Sequence, residues 1–309
     1  MPTMLAFRCL RLLSLIPLIL VSCGTASQPE IRLSELAPLP EHVSSDVIPL
    51  RVAVAAVTSP QGTLESYHLL LDYISAKLDR PVELVQRRTY AEINDLVERG
   101  YVDMAFVCTS AYIAGKEKFG MQLLAAPQVQ GNTVYYSVMI VPAGSTAKSI
   151  LDLRGKVFAF TDPMSTTGHE YPSQLVRDQG FTPDQFFLRT FFTYSHDDAI
   201  RAISAGLADG AAVDSIVLDY ALVRDPTLAT KLRVIHRSIP FGIPPVVINP
   251  SIRPQLKAQL EEVLLGMSAD PDGGQAALKM LGVERFVVIN DSAYDTVRNL
   301  LSETQGADR

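Results

Sequence analysis

The chain has 309 residues, with 27 Lys and Arg against 33 Asp and Glu, a formal net charge of −6, and 48% hydrophobic residues. An acidic balance of this kind argues against nucleic acid as a partner and gives no reason for adhesion to an anionic membrane. Three cysteines and five scattered histidines compose neither a disulfide framework nor a zinc centre, so no metal and no cofactor is expected.

Residues 1–22 have the pattern of an export signal: Arg8 and Arg11 precede an apolar run over 12–21 that is broken only by Ser14 and Pro17. A run of about ten residues is too short to span ~30 Å of hydrocarbon. Its ending, Leu20-Val21-Ser22-Cys23, resembles the lipobox of bacterial lipoproteins, which implies cleavage before Cys23, acylation of that cysteine and a lipid anchor on the extracytoplasmic side. A plain secretory leader with a coincidental cysteine is the alternative. Cys9 leaves with the leader and Cys23 takes lipid, so Cys108 is left without a partner and is expected as a small buried hydrophobe in Ala105-Phe106-Val107-Cys108. Residues 23–47 contain Ser, Thr, Pro and Glu without periodicity, as in a flexible tether.

From residue 48 onward strands and helices alternate. The pattern predicts a strand over 51–57, a helix over 64–78 with Leu64, Tyr67, Leu71, Ile74 and Leu78 on one face, a strand over 82–85, a helix over 90–98 and a strand over 104–108. The alternation resumes after Ser149, with an apolar strand ending at Phe160, a helix over 173–178 stopped by Gly180, and a capped segment from Thr182. This is α/β with largely parallel strands. At an offset of 106 the chain echoes itself: Thr89, Glu92, Gly100, Asp103, Ala105 and Val107 match Ser195, Asp198, Gly206, Asp209, Ala211 and Val213. Each set spells a helix cap, a closing glycine and a strand. Thr109 and Ser110 then occupy one strand end and Asp214 and Ser215 its equivalent, where open α/β sheets bind ligands.

Strand-like segments over 134–142 and 244–249 bracket the second unit and are expected to be two hinge strands. Lobe 1 is then 48–142 and 245–309, and lobe 2 is 143–244. Helices over 253–267, 274–281 and 293–301 are expected to pack on the first lobe.

The stretch 157–172 runs from an apolar strand into Ser165, Thr166 and Thr167, hydroxyl donors at a helix start where free N–H groups favour an anion. Thr167-x-x-Glu170 fits a capping box, and Pro172 should kink or restart that helix. An ordinary N-capped turn is the competing account. Likewise His196 could be a solvated residue after a cap, Tyr67 a core residue, and Asp214, Thr109 or Ser110 plain helix caps. Ser165, His196 and Asp214 nominally compose a catalytic triad, but no Gly-x-Ser-x-Gly elbow is present and an enzyme is not expected.

Asp162-Pro163-Met164-Ser165-Thr166-Thr167-Gly168, followed by Ser195-His196-Asp197, resembles the phosphate/phosphite/phosphonate-binding proteins of ABC importers, the PhnD-like group with the type II periplasmic binding protein fold. The resemblance covers about residues 48–300 and implies two α/β lobes joined by two hinge strands, with a phosphorus oxyanion held in the interlobe cleft. It implies that Ser165, Thr166 and Thr167 hold the phosphoryl oxygens, that His196 contacts the anion, and that Tyr67, Asp214 and Ser215 contribute. An ABC permease is the implied membrane partner and a monomer the implied state. A sensor role for a histidine kinase, or another small oxyanion such as a sulfonate, is the alternative. The chain departs from the group in Pro240-Phe241-Gly242-Ile243-Pro244-Pro245, where many members carry an acid.

Overall fold

The computed structural model of the protein describes residues 47–307. The leader, Cys23 and most of the tether lie outside the described residues. The chain begins β1 (Leu50–Val54), α1 (Pro60–Leu78), β2 (Val82–Gln86), α2 (Tyr90–Glu98), β3 (Met104–Phe106), α3 (Thr109–Phe119) and β4 (Gln122–Gln128). It continues through β5 (Val134–Tyr135), β6 (Ser137–Pro142), β7 (Val157–Phe160), α4 (Tyr171–Arg177), α5 (Pro183–Phe186), β8 (Arg189–Phe192), α6 (His196–Ser204) and β9 (Gly210–Asp214). After α7 (Ser215–Arg224), α8 (Leu228–Lys231) and β10 (Leu232–Arg237) come β11 (Phe241–Gly242), β12 (Val246–Ile248), α9 (Pro254–Gly266), α10 (Gly274–Leu281), β13 (Arg285–Val287) and α11 (Asp295–Ala307).

The strands make two main sheets, in the orders β13-β4-β12-β3-β1-β2 and β10-β6-β9-β7-β8. In each, three parallel strands, β2-β1-β3 and β8-β7-β9, form one side of the sheet, and antiparallel strands extend it on the other. Central strands covered on both faces need continuous apolar sequence, and β9 is buried along its whole length. Both connections between the sheets pass through the short ladder of β5 with β11. Immediately after each crossing the chain adds a strand to the sheet it has entered: β6 pairs with β9, and β12 pairs with β3. The segment 137–142, counted with the first lobe from sequence, is therefore a strand of the second sheet. A fully apolar extended run gives no local sign of which sheet it joins.

α1 buries Thr63, Ser66, Leu70, Leu71, Tyr73 and Ile74, whereas Leu64 is 56% exposed. The buried face is thus rotated from the one expected, because Leu70, Leu71 and Ile74 pack on α9 and α10 through Leu256, Leu260 and Leu278. On the opposite face of the first sheet, Val297 and Leu300 of α11 join Tyr112 and Tyr294. Of the tail helices, α9 packs on β4 and β13, α10 on α1, and α11 on α3 and also on α4 of the second half. Among the described residues no helix is long and apolar enough to cross a membrane.

Candidate anion site between the two sheets

β7 delivers the chain to a turn built by Ser165. Its backbone is extended, its Oγ accepts the Gly168 N–H at 3.1 Å, and its carbonyl accepts from His169 and Glu170 at 3.0 and 2.9 Å. The result is a wide turn over Thr166–Glu170 that leads directly into α4. Pro172 then falls in the first turn of α4, where a missing N–H breaks no bond. Ser165 rather than Thr167 is therefore the cap, and the box of Thr167 with Glu170 does not form. Gly168 is demanded by crowding, since a Cβ there would lie 1.9 Å from Thr161 Oγ1.

Ser165, Thr166 and Thr167 are fully buried. The Thr166 hydroxyl reaches the other sheet: it accepts the Ser110 N–H at 3.0 Å and lies 2.6 Å from Ser110 Oγ and 3.6 Å from Cys108 Sγ. Thr167 Oγ1 is buried with no hydrogen-bond partner. The N–H groups of Thr166 and Thr167 precede any acceptor within the turn.

His196 opens α6 behind the Ser195 cap. Its Nδ1 lies 3.0 Å from the Asp214 backbone N–H and must accept from it, so the ring proton sits on Nε2, 3.4 Å from Ser165 Oγ. Burial drives the imidazole pKa down to about 3, so the ring presents a neutral N–H donor. The same bond denies Asp214 the orienting role of a triad carboxylate, because Nδ1 has no hydrogen to donate. Tyr194, immediately upstream, holds a left-handed φ of 61° that turns the chain into the Ser195 cap.

Asp214 caps α7, its Oδ1 accepting from Ile216 and Val217 at 2.7 and 3.4 Å. Burial raises its pKa to about 7 against the opposing pull of those two bonds. Thr109 and Ser215 have their hydroxyls on the crossings: Thr109 Oγ1 donates to the Gly242 carbonyl at 2.7 Å, and Ser215 Oγ accepts the Tyr136 N–H at 3.1 Å. They hold the hinge. Tyr67 stacks edge-on against Phe106 and lines a neighbouring apolar cavity together with Asp214.

Two tyrosines stand where sequence reasoning did not place them. Tyr90 opens α2 behind a Thr89–Glu92 capping box, its N–H donates to Asp162 at 3.1 Å, and its hydroxyl is buried without a partner. Burial first, and then the neighbouring Cys108, Asp162, Asp214 and Tyr135, hold that phenol protonated. Tyr135 of β5 brings its hydroxyl to 3.9 Å from Cys108 Sγ, while burial pushes the Cys108 thiol up and keeps it neutral.

The internal offset of 106 contained the missed signal. It maps Tyr90 onto His196, Cys108 onto Asp214, Thr109 onto Ser215, and Ser59-x-x-Gly62 onto Ser165-x-x-Gly168. Each pairing is structural: Ser59 Oγ accepts from Gly62 as Ser165 Oγ does from Gly168. Likewise Asp103 and Asp209 each accept, at 2.8 Å, from Arg51 and Val157 at the starts of β1 and β7.

A family model described as ABC transporter, phosphonate, periplasmic substrate-binding protein matches residues 52–294. The phosphate-import protein PhnD of Mycolicibacterium smegmatis is 25% identical over 288 residues, covering 86% of this chain and 89% of that protein. Among solved structures, a binding protein component of an ABC phosphonate transporter from Pseudomonas aeruginosa superposes with a TM-score of 0.80 at 21% identity, covering 85% of this chain and 88% of the other. PhnD1 from Prochlorococcus marinus in complex with methylphosphonate gives 0.74 at 17% identity, covering 83% and 98%.

Proposed function

The chain belongs to the periplasmic substrate-binding proteins of phosphonate ABC transporters, and from that premise we propose that it binds a phosphorus oxyanion (phosphonate, phosphite or phosphate) between its two sheets for delivery to a membrane permease. The observation that carries this is that two of the four buried, unpartnered hydroxyls among the described residues, Tyr90 and Thr167 (the others being Thr161 and Ser173), come one from each half of the chain. A buried polar group left without a partner costs about 1–3 kcal/mol, and a tetrahedral oxyanion meets both. His196 Nε2–H, whichever of the paired Ser110 and Thr166 hydroxyls does not donate to the other, and the first N–H groups of the turn complete a neutral donor set, which holds an anion without any Lys or Arg. Members of the family are transport binding proteins, and the lobes of this chain are taken as 48–136 with 243–309, and 137–240.

Thermal shift with phosphate, phosphite, methylphosphonate, sulfate and taurine tests the ligand class. A ligand at 100 times its Kd stabilises a binder by ~2.7 kcal/mol, so the phosphorus ligands raise the Tm and the sulfur ligands do not. Thr167→Val keeps the shape and removes one donor, which costs about 1.5–3 kcal/mol of affinity, as for a hydrogen bond to a charged group. Shifts from sulfur ligands alone overturn the proposal.

The anchoring proposal is separate and rests on Leu20-Val21-Ser22-Cys23. Cys23→Ser abolishes incorporation of labelled fatty acid and leaves precursor or soluble protein; equal labelling of the two forms refutes it.

A further inference from the structure

A cavity of about 150 Å³ adjoins the hydroxyl cradle, and the two meet at Asp214. Ser165, Thr166 and Thr167 are not among its lining residues, so it is a separate compartment beside the oxygens' place. Its walls come from both halves of the chain: Phe106, Ile243 and Phe286 from the first sheet and its crossing, and Ile216, Val217 and Tyr220 from α7. No Lys, Arg, His or Glu lines it, and Asp214 is the one carboxyl that does. That carboxyl is already engaged at Oδ1 by the two N–H groups that it caps.

Thr58, Ser66, Tyr67 and Tyr220 contribute hydroxyls, but most of the wall is hydrocarbon and none of it carries positive charge, so inorganic phosphate gains no counter-charge there. An ammonium group would meet one carboxyl, whose Oδ1 the cap already holds, and a few hydroxyls in a wall otherwise made of hydrocarbon, which is less than the full set of acceptors a buried cation needs. A hydrocarbon group gains on entering, by roughly fourfold in affinity for each methylene taken from water. We propose that this cavity receives the uncharged organic substituent of a phosphonate whose oxygens lie on the cradle, so that the protein selects alkyl- and arylphosphonates over inorganic phosphate, phosphite and aminoalkylphosphonates. The inference rests on the phosphorus-oxyanion function and narrows it to one class of ligand.

Titration calorimetry of the purified protein at fixed pH and salt provides the test, with phosphate, methyl-, propyl-, pentyl-, phenyl- and 2-aminoethylphosphonate. Propyl and 2-aminoethyl groups have the same number of heavy atoms and differ in charge, so they isolate the cavity's polarity. The expected result is pentyl- and phenylphosphonate at least tenfold tighter than methylphosphonate, and propyl- tighter than 2-aminoethylphosphonate by a similar factor. Ile216→Asn and Tyr220→Ser change partly buried wall positions and should each bring the pentyl-to-methyl ratio towards one. Equal affinities for phosphate, methyl- and pentylphosphonate, or a preference for 2-aminoethyl over propyl, would overturn the inference while leaving the oxyanion site standing. Ratios unmoved in both variants would also overturn it. Absence of binding by every phosphorus ligand would instead remove the oxyanion function itself.

Discussion

Asp214 caps a helix and borders the proposed anion site. Its Oδ1 holds the first N–H groups of α7, while burial keeps its pKa near 7, so close to neutrality the carboxyl exchanges a proton. A phosphonate or phosphate loses its second proton in a similar range, at about pH 6–7. Below that range the two groups together carry at least one proton, and a hydrogen bond can join them. Above about pH 7 both are ionised, and two negative charges face each other in a buried space. Wild-type affinity for methylphosphonate is therefore expected to fall as pH rises through about 7. Asp214→Asn retains an acceptor for the cap and removes the charge, so the fall becomes shallower and follows the ligand's proton alone. Calorimetric titrations from pH 5.5 to 8.5 decide it: parallel profiles for the two proteins would show that Asp214 does not face the ligand.

At the level of the element, the turn over 165–168 is legible in sequence because its chemistry is local. Ser165, two threonines and a glycine after an apolar strand announce a capped start, and the cap forms one position pair away from the expected box. Gly168 carries a prediction of its own: Gly168→Ala forces a methyl group against the Thr161 side chain, an overpacking that costs about 1–3 kcal/mol. It lowers the melting temperature and disorders the cradle; an unchanged melting curve would mean that Thr161 can step aside. Tyr90 was less legible than His196, since a tyrosine behind a cap is ordinary in a helix, and only its correspondence to His196 across the repeat singles it out. Tyr67, singled out by its place in the first long helix, packs its ring on Phe106 and also lines the cavity that Asp214 shares. β6, expected from sequence as a hinge strand at the end of lobe 1, joins the second sheet because register and partner choice are set by tertiary pairing, which an unbroken apolar run does not encode.

At the scale of the whole molecule, the two halves are held together by bonds that need no ligand. Asp197 accepts the Ser59 N–H at 2.8 Å, Asp162 accepts the Tyr90 N–H at 3.1 Å, the His196 N–H donates to the Val57 carbonyl at 2.9 Å, and Arg224 pairs with Glu65 at 3.0 Å. Two of these place a carboxylate from the second half on a helix start of the first, the end that favours negative charge. Burial alone would raise the Asp197 pKa, but the Ser59 bonds and Arg201 outweigh it and hold it below the ordinary value, so this carboxylate is ionised at neutral pH. A two-lobe binder whose competent form is only a fraction of the population has its apparent Kd divided by that fraction. Asp197→Ala removes a clasp without touching the cradle, and the expected result is a uniform loss of affinity across phosphorus ligands, about threefold to tenfold for a bond worth ~1 kcal/mol. Ligand ranking is expected to stay as in the wild type, as it does for Thr167→Val, whose donor serves the oxygens common to these ligands, whereas the cavity variants change it. Calorimetry with methyl- and pentylphosphonate, together with small-angle scattering of the ligand-free variant, separates the two effects. A loss confined to one ligand, or no change in the scattering dimensions alongside an unchanged Kd, would show that Asp197 does not govern closure.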